Sequence, residues 1–221
     1  MIEPLAVIVP AYNAEPTLAK VVQGVRRNLP GAWIIGVDDG STDGSAKLLR
    51  SVTDETIEFD KNRGKGAALR AGFDAALKKG VAAVLTIDSD GQHDAAFAPA
   101  IVAALDRADI VIGTRDLSGA HVPKHRRIAN MISSAATRAV SGGRVRDSQS
   151  GYRAIKSEVL RKVQGVGDRY EYETDFIIRA ARAGFTTANV PISTIYGSPS
   201  YFREFRDAWL VIKVLWRHRA G

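Results

Sequence analysis

The order of short apolar runs in the sequence predicts a doubly wound α/β fold with a mainly parallel sheet flanked by helices. Three observations carry this expectation. β-branched runs of strand length recur through the first half of the chain. Each of the earlier runs is followed by a segment with helical spacing. Each polar, glycine-rich cluster falls just after such a run, and ligands of open α/β sheets bind beyond the carboxyl ends of the strands.

In chain order, Leu5–Val9 reads as a strand and Pro16–Val22, with Pro at its start, as a helix. The pattern repeats at Trp33–Val37, which runs through Asp38-Asp-Gly-Ser-Thr-Asp-Gly44 into helical Ser45–Arg50. It recurs at Ile57–Phe59, followed by Asn62-Arg-Gly-Lys-Gly66 and the alanine-rich segment 67–79. A strand over 81–87 leads to a helix over 97–107, and Asp109–Ile112 supplies a further strand. Val190–Ile192 closes the core pattern.

Asp88-Ser89-Asp90 is the most informative cluster, because two carboxylates one residue apart follow the apolar run 81–87. Alternate residues of an extended chain share a face, so Asp88 and Asp90 project together. Two hard oxygen ligands suit Mg²⁺ or Mn²⁺ with positions left for water and a diphosphate. The competing reading is that the pair merely forms a turn at the strand end.

Length and composition bound the rest. The 221 residues, 45% of them hydrophobic, suffice for one substantial core. A single domain over 1–200 with a terminal amphipathic helix over 201–221 is the simplest organisation. The chain has no cysteine, which excludes disulfides and thiolate zinc sites. The net charge of +7 favours anionic partners. No basic-led apolar segment opens the sequence, and no window approaches the ~18 apolar residues of a membrane span. A cytoplasmic location, peripheral on the inner face of the membrane, is therefore expected.

The combination Val9-Pro-Ala-Tyr-Asn13, Asp38–Gly44, Asn62–Gly66, Asp88-Ser-Asp-Gly-Gln92, Gly113-Thr-Arg115 and Asp147-Ser-Gln-Ser-Gly-Tyr-Arg153 resembles the family 2 glycosyltransferases. Within that family it is most similar to the dolichyl- or polyprenyl-phosphate sugar synthase branch. The resemblance spans residue 5 to about residue 200, with six motifs in order. It implies a GT-A fold, a nucleotide-sugar donor and inversion at the anomeric carbon. By motif position, Pro10, Tyr12 and Asp39 would contact the nucleotide, with Glu15 and Ser89 beside it. Lys65 would lie near the donor phosphates, although Gly64-Lys65-Gly66 also reads as a turn before a helix. Asp88, Asp90 and Gln92 would surround the metal and diphosphate. The sequence departs from the family pattern at Ala14, where Glu is usual and Glu15 follows one step later.

Arg115 stands where members of the family carry a phosphate-binding Arg, and Arg126, Arg127 and Arg153 are further candidates for an acceptor phosphate. Guanidinium groups suit that role because their fork donates two hydrogen bonds at once. The same cationic stretch also reads as a solvated loop. Asp147, Glu173 and Asp175 are the candidate catalytic acids beside Asp90, while the acids of Glu171–Asp175 also read as helix-start charges. In the tail, Phe202, Phe205, Trp209, Ile212 and Trp216 recur at spacings of three and four. With Arg217 and Arg219 they suit either an interfacial helix on an anionic membrane or a packing helix.

These features point to an inverting, metal-dependent transferase that uses a UDP- or GDP-sugar and a polyprenyl phosphate acceptor. The alternatives are a saccharide hydroxyl acceptor, a non-catalytic basic module that binds lipid or polyanions, and a sugar-phosphate nucleotidyltransferase. No early glycine-rich activation loop supports the last, and no nucleic acid partner is expected. The donor base, the sugar and the oligomeric state are open at this level.

Overall fold

A computed structural model describes residues 2–115, 134, 137, 147–169, 171–193, 195, 214 and 216–218. The expected alternation of strands and helices is present. Strand β1 (Leu5–Ala11) leads to α1 (Glu15–Asn28), β2 (Trp33–Asp38) to α2 (Ser45–Val52), and β3 (Glu55–Glu58) to α3 (Lys65–Lys78). After β4 (Ala83–Thr86), a 3₁₀ turn precedes the short α4 (Ala98–Ala103). β5 (Ile110–Arg115), β6 (Arg153–Lys156), α5 (Ser157–Lys162), α6 (Glu171–Arg182) and β7 (Thr187–Ile192) complete the described elements.

The seven strands form one sheet in the order β3-β2-β1-β4-β6-β5-β7. Every pairing is parallel except those of β6, which runs antiparallel between β4 and β5. Sequence reasoning missed β6 and α5, because four residues of Arg-Ala-Ile-Lys carry no resolvable period. The reversal matters for function. In an antiparallel strand the beginning, not the end, lies beside the carboxyl ends of its parallel neighbours, so Asp147–Arg153 is delivered to the ends of β4 and β5.

Alternation along β1 shows why the sheet is held from both sides. Leu5, Val7, Val9 and Ala11 pack into a core with Leu18, Val22 and Val25 of α1 and Ile101 of α4. Ala6 and Ile8 face the opposite core, with Leu69 and Phe73 of α3 and Phe176 and Ile177 of α6. Every residue of β1 is buried, so Leu5–Val9 reads as a continuous apolar run rather than as alternation.

Tight contacts hold the loops at the carboxyl edge. Gly64, at φ +103°, lies so close to the Asp168 carbonyl that an added Cβ would collide with it. That proximity lets the Asp168 carbonyl accept the Ala67 N–H at 3.2 Å in the first turn of α3. Arg70 of α3 reaches back to the Gly167 carbonyl and the Asp168 carboxylate.

Of the terminal segment, Val214 and Trp216–His218 are helical, with Val214 and His218 buried and Trp216 exposed. Phe202, Phe205, Trp209, Ile212 and Arg219 lie outside the described residues. No described helix is long and apolar enough to cross a membrane.

Gly64→Ala is expected to destabilise the protein by more than about 2 kcal/mol, because it adds a backbone collision to an unfavourable φ. Gly80→Ala, at φ +73° with nothing within 4 Å of the added Cβ, should cost only the left-handed backbone penalty of ~1–2 kcal/mol. Urea midpoints of the two variants give the comparison, and equal losses would show that the Asp168 contact is unimportant.

Candidate active site

The site begins where the first two strands end. Asn13, at φ +49°, accepts the Thr42 N–H on its side-chain oxygen at 2.8 Å, while its own N–H donates to Ser41 Oγ at 2.9 Å. Glu15 and Asp43 cross-cap the two loops: the Glu15 N–H donates to Asp43 at 3.2 Å, and the Gly44 N–H donates to Glu15 at 2.9 Å. The Glu15 carboxylate is thus committed to joining the loops after β1 and β2. Pro10 is paired with Val37 inside the sheet, and Tyr12 is half-buried just beyond β1.

Asp39 is buried and holds the next loop, accepting the Arg63 N–H at 2.7 Å and the Gly64 N–H at 2.9 Å. Burial raises its carboxyl above the ordinary carboxylate value against the lowering effect of those hydrogen bonds. Its neighbour Asp38 accepts the Ser41 N–H at 3.0 Å through Oδ2, while Oδ1 is buried without a hydrogen-bond partner.

β4 ends at Thr86, so neither Asp88 nor Asp90 is on the strand. A turn through Ser89 and Asp90, with Gly91 at φ +74°, brings them together instead of the strand pleat. Thr17 at the start of α1 donates to the Ser89 carbonyl at 2.6 Å and anchors this turn. Gln92 donates its N–H to Asp90 at 2.9 Å, and its carbonyl accepts the Ile195 N–H at 2.9 Å.

Asp88 is the hub of the charge arrangement. Lys65, the first residue of α3, lies 2.6 Å from Asp88 Oδ1 and 3.0 Å from Glu173 Oε2. His93 Nε2 stands 3.8 Å from Asp88 Oδ2. Gly151 packs so closely on the Asp88 carboxylate that a Cβ there would collide with both oxygens. Burial acts to raise the Asp88 carboxyl, but the Lys65 charge and the contacts from His93 outweigh it and hold the group far below the usual range. Asp90 goes the other way, raised first by burial and then by the negative charge of Asp88.

The second half of the chain supplies the opposite wall. Arg115 at the end of β5 forms a bidentate pair with Asp147, at 2.7 Å and 3.0 Å. Arg153 is buried and donates to the carbonyls of Ser150 at 2.7 Å, Ser148 at 2.8 Å and Glu173 at 3.1 Å. It is a strut between the start of β6 and α6.

The acids of Glu171–Asp175 divide into three uses. Glu171 accepts the N–H groups of Asp168 and Arg169 ahead of the helix, in keeping with a helix-start role. Glu173 faces Lys65. Asp175, fully buried, accepts the Val166 N–H at 2.7 Å and Arg179 Nε at 2.6 Å, and His218 Nε2 lies 2.8 Å from it. Asp175 is therefore committed to holding the terminal helical turn. Arg126 and Arg127 lie outside the described residues.

Among the described residues no group of three or more His, Asp or Glu is arranged to hold a metal by itself. The donor set nevertheless fits a divalent ion that keeps water and phosphate ligands. Asp88 and Asp90 offer hard oxygens, and burial together with the charge of Asp88 disfavours ionised Asp90, a penalty a cation would relieve. Sequence reasoning did not single out Asp38, Gly151 or His93 as site residues. Gly151 carried a signal only in lying within the Asp147–Arg153 motif, since glycine permits a close approach of backbone.

A mainly parallel sheet with a reversed β6, carrying a carboxylate pair and basic side chains at its carboxyl edge, is the GT-A architecture of glycosyltransferases. Residues 6–164 match glycosyl transferase family 2, and the chain belongs to that family. It is 33% identical over 204 residues to polyprenol monophosphomannose synthase of Mycolicibacterium smegmatis, covering 85% of this chain and 76% of that protein. It is 30% identical over 224 residues to UDP-N-acetylglucosamine--dolichyl-phosphate N-acetylglucosaminyltransferase of Methanococcus voltae, covering 89% and 87%. Its fold matches glucosyl-3-phosphoglycerate synthase of Mycobacterium tuberculosis, crystallised with Mg²⁺ and UDP, at TM-score 0.78 and 22% identity over 97% of this chain and 78% of that one. The protein is a glycosyltransferase.

A carboxyl raised on folding stabilises the fold while protonated, and that contribution is lost as pH rises from its unfolded value through its raised folded value. Ionised Asp90 therefore strains the metal-free protein at neutral pH. Asp90→Asn should raise the metal-free Tm at pH 7.5 by about 2–4 °C, the shift expected of ~1 kcal/mol in a chain this long. The gain should shrink near pH 4. Thermal unfolding in EDTA at both pH values checks this, and a fall in Tm at pH 7.5 would contradict it.

Proposed function

We propose that the protein transfers a sugar, with inversion, from a nucleoside diphosphate donor to a polyprenyl phosphate in a reaction that depends on Mg²⁺ or Mn²⁺. The observation that carries this reading is that the Asp88–Asp90 turn and Arg115 meet at one edge of the sheet, while the candidate acids beyond them are paired with cations. The names of the two sequence relatives, which specify polyprenol and dolichyl phosphate chemistry, support the lipid acceptor.

The nature of the acceptor follows from what the acids can do. A sugar hydroxyl needs a positioned base to take its proton as it attacks. Asp147 is held by Arg115, Glu173 by Lys65 and Asp175 by Arg179 and His218. A phosphate monoester is already anionic near neutral pH and needs cations more than a base. In the proposed reaction a phosphate oxygen attacks the anomeric carbon from the face opposite the diphosphate. The bond from that carbon to the diphosphate oxygen breaks, and its electron pair leaves with the nucleoside diphosphate.

The residues divide the work. Tyr12, Asp38 and Asp39, on the loops after β1 and β2, form the nucleotide side, with Pro10 beneath and Glu15 fixing the loops together. Lys65 balances charge beside the diphosphate, and Ser89 shapes the turn between the metal ligands. Asp88 and Asp90, with Gln92 beside them, would hold the divalent ion, which supplies charge stabilisation to the departing nucleoside diphosphate. Arg115, already paired with Asp147, offers its remaining donors to the incoming phosphate, and Arg126 and Arg127 are candidates to supply the counter-charge. Arg153 contributes by holding the wall in place.

Membrane association is part of the proposal, because a polyprenyl chain resides in lipid. Trp216 is 73% exposed on the helical turn that buries Val214 and His218, and the exposed Arg217 lies beside it. An exposed aromatic beside a cation suits an anionic interface. Trp216→Ala should lower binding to anionic liposomes without changing nucleotide affinity. Equal sedimentation with liposomes would count against this role.

The central test offers a labelled UDP- or GDP-sugar with undecaprenyl or dolichyl phosphate beside simple saccharides. Label should enter the lipid fraction, disappear in EDTA, and fall about 10³-fold in Asp90→Asn as several kcal/mol of charge stabilisation is lost. Transfer to saccharides alone would reject the acceptor, and full activity in EDTA would reject the metal.

A further inference from the structure

Asp147 and Arg115 are the most completely engaged charged pair facing the proposed acceptor. Arg115 Nε donates to Asp147 Oδ2 at 2.7 Å and Nη2 to Oδ1 at 3.0 Å, while the Arg115 backbone N–H reaches Oδ2 at 3.3 Å. The Gln149 N–H adds a fourth contact, to Oδ1 at 3.3 Å. The Asp147 side chain is only 1% exposed, whereas that of Arg115 is 19% exposed. Arg115 Nη1 engages no hydrogen-bond acceptor among the described residues.

This arrangement is unsuited to proton abstraction. Both Asp147 oxygens are occupied by donors and shielded from solvent, so a substrate proton could reach the group only by displacing Arg115. Burial would raise the Asp147 carboxyl, but the Arg115 charge and hydrogen bonds outweigh that effect and hold it below the usual carboxylate range. A carboxylate so stabilised is a weak base at neutral pH.

It is well suited to orienting a cation. The guanidinium is planar and rigid, so fixing its Nε and Nη2 edge fixes the direction of its remaining donors. The side chain is thereby ordered before any ligand arrives, which removes part of the entropic cost of binding. The pair is also tied into the sheet. Arg115 ends β5, and Asp147 lies just before Gly151, whose backbone packs against Asp88. The orientation of Arg115 is therefore referenced to the turn that carries the proposed donor-side carboxylates.

We propose that Asp147 is a positioning residue: it holds Arg115 by one edge so that the Nη1 side is presented to a phosphate oxygen of the acceptor, and it does not serve as the general base. The inference rests on the phosphate-acceptor reading above. It assigns Asp147 an effect on acceptor recognition that is transmitted through Arg115.

The test uses the full chain with undecaprenyl phosphate in detergent as acceptor, comparing wild type, Asp147→Asn, Arg115→Gln and the double variant. Asp147→Asn should raise the acceptor KM about tenfold or more, leave the donor KM unchanged and alter kcat by less than about threefold. In the Arg115→Gln background the same substitution should add less than about twofold, because the group it positions is gone. A kcat loss of about 10²-fold or more with an unchanged acceptor KM would instead identify a base and overturn the proposal. A full-sized Asp147→Asn effect in the Arg115→Gln background would overturn it as well.

If Asp147→Asn fails to fold by circular dichroism, Arg115→Gln is compared directly with the double variant, in which neither charge is left unpaired. Equal acceptor KM and kcat in those two supports positioning, whereas a further kcat loss of about tenfold in the double variant overturns it. Failure of the parent reading has a separate signature, since wild-type enzyme would then glycosylate saccharides and leave undecaprenyl phosphate unmodified.

Discussion

Several carboxylates converge at the carboxyl edge of the sheet, and the protein must neutralise them with its own cations. Lys65 stands between Asp88 and Glu173, Arg153 beside Glu173, and Arg115 against Asp147. Taking an unpaired charge out of water costs several kcal/mol, so these partners are conditions for the site's existence rather than additions to it. Each cation also comes from a different element. Neutralisation therefore draws the starts of α3 and β6 toward the β4 turn and α6, and the end of β5 toward the segment before β6.

Asp90 is the exception in this arrangement. Its carboxylate accepts the Gln92 N–H, while burial and the charge of Asp88 both work against its ionised form. A site that leaves one acid electrostatically unsatisfied beside a neutralised one has a place for a further positive charge. The same low-dielectric surroundings that make this costly strengthen any interaction with a bound cation or phosphate. Charge balance thus links the stability of the protein without ligands to the chemistry proposed for it.

The antiparallel β6 converts that electrostatic requirement into geometry. Thr86 of β4 is in register with Arg153, and Thr86 Oγ1 donates to the Gly151 carbonyl at 2.8 Å. The backbone at Gly151 can then lie directly against Asp88, which a side chain would prevent. From this fixed point the preceding residues reach back to place Asp147 on Arg115. A parallel β6 would have carried the same residues to the far edge of the sheet.

The sequence by itself determined the alternation of apolar strand and amphipathic helix through the first half, because both periods are local properties of the chain. It also determined that the motifs around Asp39, Lys65, Asp88 and Arg115 would gather at one edge, since each follows or ends a strand of a parallel sheet. Only the tertiary structure decided what those charges do. The Lys65–Asp88 and Arg115–Asp147 pairs join residues far apart in sequence, so no local pattern specifies them. The acids of Glu171–Asp175 look alike in sequence, yet helix geometry turns Glu173 toward Lys65 and Asp175 toward His218. The four residues of β6 were too few to show a period, although their direction fixes where Asp147–Arg153 lies. Ion pairing and strand direction depend on which distant segments meet, and only the packed chain brings those segments together.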